Sequence, residues 1–201
     1  RWTALRRWRQ RAIRRQRPAV QECLRDDLRA HLKSIGVTNG ALVLMHTRVT
    51  GVHIQSGDSS VKANEWETSA NLLSDFFDLL GPTGTLAMPT NAKYQTNNYY
   101  GSRDRGKIIT YNPSCSPCGV GLVNELFWRQ KGVQRSLFPF NMLAACGPLS
   151  DELLRDNLNE RKPSPHGVDS GYYRICQHNG LMVSIGVPLR ECFTLAHVVE
   201  E

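Results

Sequence analysis

Apolar residues recur along the chain in two patterns, short unbroken runs and helical three-to-four-residue repeats, and their order lays out an architecture. In "VQECLRDDLRAHLKSIG", Val20, Cys23, Leu24, Leu28, Leu32 and Ile35 return at helical spacing before Gly36, which predicts a helix with one buried face. The run "ALVLMH" (41–46) has the length of a buried strand, and a polar loop, "TRVTGVHIQSGDSS", follows it. Leu72, Leu73, Phe76, Phe77 and Leu80 share one face of a second helix, "WETSANLLSDFFDLL", which carries acids in its first turn and stops at Gly81-Pro82. "GTLAMPT" (84–90) reads as a strand closing on proline. Residues 91–114 are polar and rich in Asn and Tyr, too long for a plain connection, and are expected to form a functional surface excursion. "VGLVNELFWRQKG" is a third amphipathic helix, "MLAACG" and "LMVSIGV" are further buried strands, and Ser150 is placed to cap a short "DELLRDN" helix. Strands alternating with helices predict the α/β class: a three-layer α/β/α domain around a central mixed sheet.

Length and charge refine that picture. A chain of 201 residues supports one sizeable domain. It contains no run of about 18 apolar residues, so no transmembrane segment is expected. It opens on Arg1 with no apolar signal core, as a processed chain or a fragment would. The formal charge of +7 is concentrated in "RWTALRRWRQRAIRRQR", which holds eight arginines and no acid, whereas residues 18–201 are nearly neutral. The boundaries expected are therefore a basic arm at 1–17 and a domain at 18–201. Trp2, Leu5, Trp8, Ala12 and Ile13 fall on one stripe of the arm, which suits RNA, an anionic membrane surface or a partner, and equally a solvated tail. Six scattered cysteines lack the spacing of a disulfide scaffold and read as reduced thiols in a cytoplasmic protein.

The segments "LVLMHT", "LLGPTGTLAMPT", "SPCGVGLVNELFWRQKGVQRSLFPFNMLAACGP", "SPHG" and "HNGLMVSIGV" leading to "HVVEE" resemble, in order and punctuation, the aminoglycoside 3-N-acetyltransferase (antibiotic N-acetyltransferase) family over roughly residues 20–201. The resemblance implies acetyl-coenzyme A as co-substrate, an aminoglycoside or related amino sugar as acceptor, and no metal. It implies His197 and Glu200 as base and orienting acid, Thr47, Arg135 and Ser136 on the coenzyme, and His166 and Asn141 as substrate contacts. Coenzyme A and the amino sugar are then the expected partners, with no specific nucleic acid, and a homo-oligomer is left open. Family members continue some tens of residues past the His-x-x-Glu segment, so the chain is expected to be truncated there.

The residues support this chemistry on their own terms. An alkylammonium must lose a proton before its nitrogen attacks a thioester, and an imidazole with a pKa near 6.5 suits that task. On a helix starting near Thr194, His197 and Glu200 stand at i and i+3, where a carboxylate fixes the imidazole tautomer, and Glu201 at i+4 is equally placed for that part. The pair directly follows the strand "LMVSIGV", and sites in α/β sheets gather at the carboxyl ends of strands. Attack within a ternary complex is favoured over an acyl-enzyme, since no Cys or Ser lies beside His197 in a nucleophile motif. Arg135 offers a bidentate phosphate partner, and Thr47 and Ser136 offer hydroxyls. Two departures stand out: Phe138 and Asn141 occupy positions where the family carries histidines, which puts the usual acceptor in question. Tyr94, Tyr99, Tyr100 and Tyr111 suit stacking on a sugar ring. Two alternatives stay open: a degenerate member that binds through its basic arm, and a thiol oxidoreductase using Cys115 and Cys118, which requires a lowered thiol pKa.

Overall fold

A computed structural model describes residues 21–50, 52–55, 64–92, 111–155, 164–192 and 194–200. The main sheet has five strands in the order β5 (Gln134–Arg135), β6 (Leu143–Cys146), β4 (Thr85–Pro89), β2 (Leu42–Thr47) and β7 (Leu181–Ile185). β2 runs parallel to both neighbours, with Val43 opposite Leu86 on one side and Leu181 on the other. β6 is antiparallel to β4 and to β5, so the sheet is mixed. β2 is buried along its whole length. A parallel strand covered on both faces needs an unbroken apolar run rather than alternation, and "LVLM" supplies it.

The period of two sorts that run between the layers. Val43 and Met45 join a core with Leu32, Leu72, Phe76, Phe127 and Val183, under α1 (Arg25–Ser34), α2 (Glu65–Leu80) and α3 (Leu122–Trp128). Leu42 and Leu44 join Ala87, Leu143, Leu153, Tyr172 and Ile175 on the opposite face, under α4 (Ser150–Leu153) and α5 (Gly171–Gln177). Leu195 and Val198 pack against this second core, which brings α7 (Ala196–Glu200) to the same side, and Cys192 of α6 (Leu189–Cys192) contacts Ser184 of β7. The expected α/β class and its three layers are thus present. Each fully buried Phe or Leu contributes roughly 1.5–3 kcal/mol.

α2 starts on a reciprocal cap: Glu67 N–H donates to Asn64 Oδ1 (2.9 Å) and Asn64 N–H to Glu67 Oε2 (3.1 Å). Its Asp75 is fully buried and accepts from Arg25 Nε at 2.9 and 3.0 Å and from Arg29, tying α1 to α2.

Three expectations change. Near the start of the first expected helix the chain forms instead a strand, β1 (Gln21–Leu24), paired in parallel with β3 (Val52–Gln55) inside the expected polar loop. Ile54 of β3 is buried, and pairing around it overrides the helical period of so short a segment. Ser150 is the first residue of α4 rather than its cap, and its buried hydroxyl has no hydrogen-bond partner among the described residues. α5 went unanticipated; Ser170 caps it, accepting from Tyr173 N–H (3.1 Å). The basic arm and Tyr94, Tyr99 and Tyr100 lie outside the described residues.

Candidate functional site

The carboxyl ends of β2, β4 and β7 open onto a groove of about 230 Å³. The two parallel neighbours of β2 lie on opposite sides of it, the arrangement that leaves a crevice at the strand ends of α/β sheets. His46, Thr47, Arg48, Asn91, Asn124, Asn141, Tyr172, Glu191 and Thr194 are among the residues that line it. Thr47 Oγ1 donates to Asn124 Oδ1 (3.1 Å), and Asn124 Nδ2 donates to Pro89 O (2.7 Å), which locks α3 to the ends of β2 and β4. At the rim, Arg48 Nη2 and Glu191 Oε2 form a half-exposed ion pair at 2.8 Å. An exposed pair of this kind is worth under about 1 kcal/mol and is screened by salt.

On the α5 side of the groove, four sequence-predicted residues come together. His197 Nδ1 lies 2.8 Å from Glu200 Oε2. The i, i+3 spacing on α7 places the two groups side by side, both largely exposed. The His197 ring faces that of His166 at 5.1 Å between centroids. His166 is buried, with the Tyr172 ring 5.3 Å away between centroids. Asn141 Nδ2 lies 3.2 Å from His166 Nε2, so the amide donates to an imidazole whose remaining proton sits on Nδ1. Asn141 adopts φ 46°, a left-handed conformation that Asn tolerates better than most residues, and this turn aims its amide at His166. Asn141 and Tyr172 both line the groove, and contacts run from that wall through His166 to the His197 ring, the last of them a ring contact.

The expected coenzyme residues divide. Thr47 lines the groove; Arg135 and Ser136 do not. Arg135 Nε donates to Thr90 Oγ1 (3.2 Å), Nη1 to Ser116 O (2.5 Å) and Nη2 to Thr90 O, so three of its five N–H groups are committed within the protein. Its guanidinium carbon also stands 4.8 Å from the Trp128 ring centroid and 5.4 Å from that of Tyr111. Ser136 is tied into the same turn: its hydroxyl oxygen accepts from Leu143 N–H (3.3 Å) and its carbonyl from Tyr111 OH (2.7 Å).

The turn before α3 is filled by Glu125, whose Oε2 accepts from Cys118 N–H (2.6 Å) and Trp128 Nε1 (2.8 Å) and whose Oε1 accepts from Arg129 Nε (2.7 Å). Burial alone would raise the Glu125 carboxyl; these hydrogen bonds outweigh it and hold the group below its ordinary range. Burial pushes the Cys118 thiol upward, the opposite of what a redox pair with Cys115 demands. All six cysteines are free thiols. No group of three or more His, Cys, Asp or Glu suited to a metal ion occurs among the described residues. No helix among them is long and apolar enough to cross a membrane.

One groove residue that sequence reasoning left without a functional part is His46. Its Nε2 lies 3.3 Å from Thr194 Oγ1, and burial lowers its pKa from 6.5 to about 4. Its place at the end of an apolar run that opens a groove is the signal that could have found it.

Comparison with known proteins places these features. The profile of the family described as aminoglycoside 3-N-acetyltransferase matches residues 54–201. Aminoglycoside N(3)-acetyltransferase IV of Salmonella sp is 30% identical over 176 residues, 87% of this chain and 57% of the relative. Aminoglycoside N(3)-acetyltransferase IX of Micromonospora chalcea is 27% identical, over 88% of this chain and 61% of the relative. The chain thus spans less than two thirds of these relatives. Among solved structures, a variant of aminoglycoside acetyltransferase AAC(3)-IVa in complex with apramycin superposes with TM-score 0.64 at 26% identity, covering 90% of this chain and 64% of that one. AAC-IIIb in binary complex with coenzyme A shares the fold, with TM-score 0.67 at 20% identity over 90% of this chain and 65% of that one.

Proposed function

Because the chain belongs to the aminoglycoside 3-N-acetyltransferase family, we propose that it transfers the acetyl group of acetyl-coenzyme A to an amine of an aminoglycoside or a related amino sugar. The observation that carries this reading is the 2.8 Å contact between His197 Nδ1 and Glu200 Oε2 beside the groove. With Nδ1–H donated to the carboxylate, the Nε2 lone pair is free to take a proton.

The acceptor ammonium loses one proton to solvent, and its neutral nitrogen bonds to the thioester carbonyl carbon as a second N–H proton passes to His197 Nε2. The carbon–sulfur bond then breaks, and the departing coenzyme A sulfur leaves with a proton returned by the imidazolium. Glu200 holds the ring in the receptive tautomer and stabilises its charged form. Direct attack fits better than an acyl-enzyme, since Cys192 is buried and its thiol contacts Ser184 Oγ (3.3 Å) and Leu189 O rather than His197. In this reading Thr47 meets the pantetheine from the α3 wall, while Asn141 and His166 face the acceptor. Arg135 and Ser136 serve the coenzyme by shaping the turn behind that wall. Support for the donor comes from the family and from the likeness to the fold seen with coenzyme A.

Coenzyme A release by the full chain, followed with a thiol reagent across a panel of aminoglycosides, tests the proposal. His197→Ala is expected to slow turnover by about 10²–10⁴-fold, the usual worth of a positioned general base. A wild-type protein that releases no coenzyme A with any acceptor, or a His197→Ala protein within threefold of it, overturns the reading.

A further inference from the structure

β2 ends in two polar side chains that the strand's period of two sends to opposite layers. Thr47 reaches α3, as described; His46 turns to the layer of α5 and α7 and meets Thr194. Thr194 is a junction. Its N–H donates to Cys192 O (2.7 Å), its hydroxyl lies 3.2 Å from the same oxygen, and its carbonyl accepts the N–H of His197 (3.2 Å). When the hydroxyl proton points to Cys192 O, the lone pairs of Oγ1 face His46, so both contacts are satisfied together by an imidazole that donates through Nε2–H. Burial keeps that ring neutral at ordinary pH and so preserves one donor and one acceptor on it.

The helix that carries the base has only five residues, too few to hold its own geometry in water. Ties to the body must place it. Leu195 and Val198 supply apolar ones against the second core, but apolar packing sets depth better than rotation or register. A directional bond at the helix entrance supplies what they lack. The His197 ring also has to stay in front of His166, 5.1 Å away, and a displacement of about 1 Å in such a group costs up to about 100-fold in rate.

Resting on the reading of His197 as the base, we propose that His46 is a positioning residue for the transfer: its Nε2–H, through Thr194, fixes the start of α7 and thereby the place of His197. The test uses the full chain with His46→Leu, His46→Gln, Thr194→Val and the His46→Leu/Thr194→Val double variant. Glutamine places an amide donor near the position of Nε2; leucine keeps bulk without a donor. His46→Leu and Thr194→Val are each expected to lower kcat about 10- to 100-fold with KM for acetyl-coenzyme A within twofold of wild type. The double variant is expected to be no worse than the poorer single one, and His46→Gln to recover most of the rate. In nuclear magnetic resonance spectra, the cross-relaxation between His166 and His197 ring protons is expected in the wild type and in His46→Gln and lost in His46→Leu. Unchanged kcat and cross-relaxation in His46→Leu, or single-variant losses that multiply in the double variant, overturn the proposal. Should His46→Leu not fold, Thr194→Val and His46→Gln decide it by the same readouts. A wild-type protein inactive on every acceptor refutes the functional reading alone, since cross-relaxation still reports on placement.

Discussion

Replacing Arg135 separates two jobs that one guanidinium can do. Arg135→Ala removes the donors that Thr90 Oγ1, Thr90 O and Ser116 O receive. Thr90 is fully buried, so water cannot replace the lost partner there, and a buried acceptor left unpaired costs about 1–3 kcal/mol. The contacts over Trp128 and Tyr111 add roughly 0.5–1 kcal/mol each. The loss expected is therefore about 3 kcal/mol, or roughly 6–12 °C in Tm for a domain of this size. Arg135→Lys returns one donor and a charge but not the planar fork, so it should recover about a third of the loss. Urea unfolding at constant salt measures the stability, and initial rates at varied acetyl-coenzyme A measure KM on the same preparations. If Arg135→Ala unfolds within about 0.5 kcal/mol of wild type while KM rises tenfold or more, the arginine is a phosphate anchor after all and the clamp argument is refuted.

The buried imidazole of His46 gives the fold a pH dependence of known sign. A folded pKa of about 4 against 6.5 unfolded means the unfolded chain binds more protons, so stability is intact above about 6.5 and lost as pH falls toward 4. The full effect is at most about 3 kcal/mol, roughly half that once residual solvent access is allowed for; the wild-type minus His46→Gln stability difference across that window should show it, and a flat difference would rule it out. Asn141→Gly keeps the left-handed backbone but removes the donor to His166, so turnover should fall several-fold with Tm shifted by under about 3 °C; an unchanged turnover would mean the amide plays no part. Arg25→Ala/Arg29→Ala leaves Asp75 buried and unpaired and should destabilise the protein by about 3–5 kcal/mol in urea unfolding, whereas a cost below 1 kcal/mol would show that water reaches the carboxylate.

What was legible from the residues follows from where the information lies. "LVLM" and the α2 stripe state their burial directly, because an unbroken apolar run or a helical repeat has few other uses in a folded domain. The pairing of β1 with β3 was not legible: four residues carry too little period to outweigh a neighbouring helix, and the partner strand sat inside a polar stretch. His197 and Glu200 were readable as a pair since their spacing is local. The ring contact of His166 with His197, and the bond from Asn141 to His166, join segments 25 to 31 positions apart and exist only through the fold. Arg135 illustrates the opposite failure. Its residue type suggested a phosphate, but the carbonyls of Thr90 and Ser116 that engage it are backbone atoms that no side-chain pattern announces.

The split at the end of β2 has a consequence for how such a protein can change over generations. Neighbouring positions 46 and 47 answer to separate layers, so a substitution tolerated on one side leaves the packing of the other side untouched. The wall nearer α3 and the wall nearer α7 can therefore drift at unequal rates.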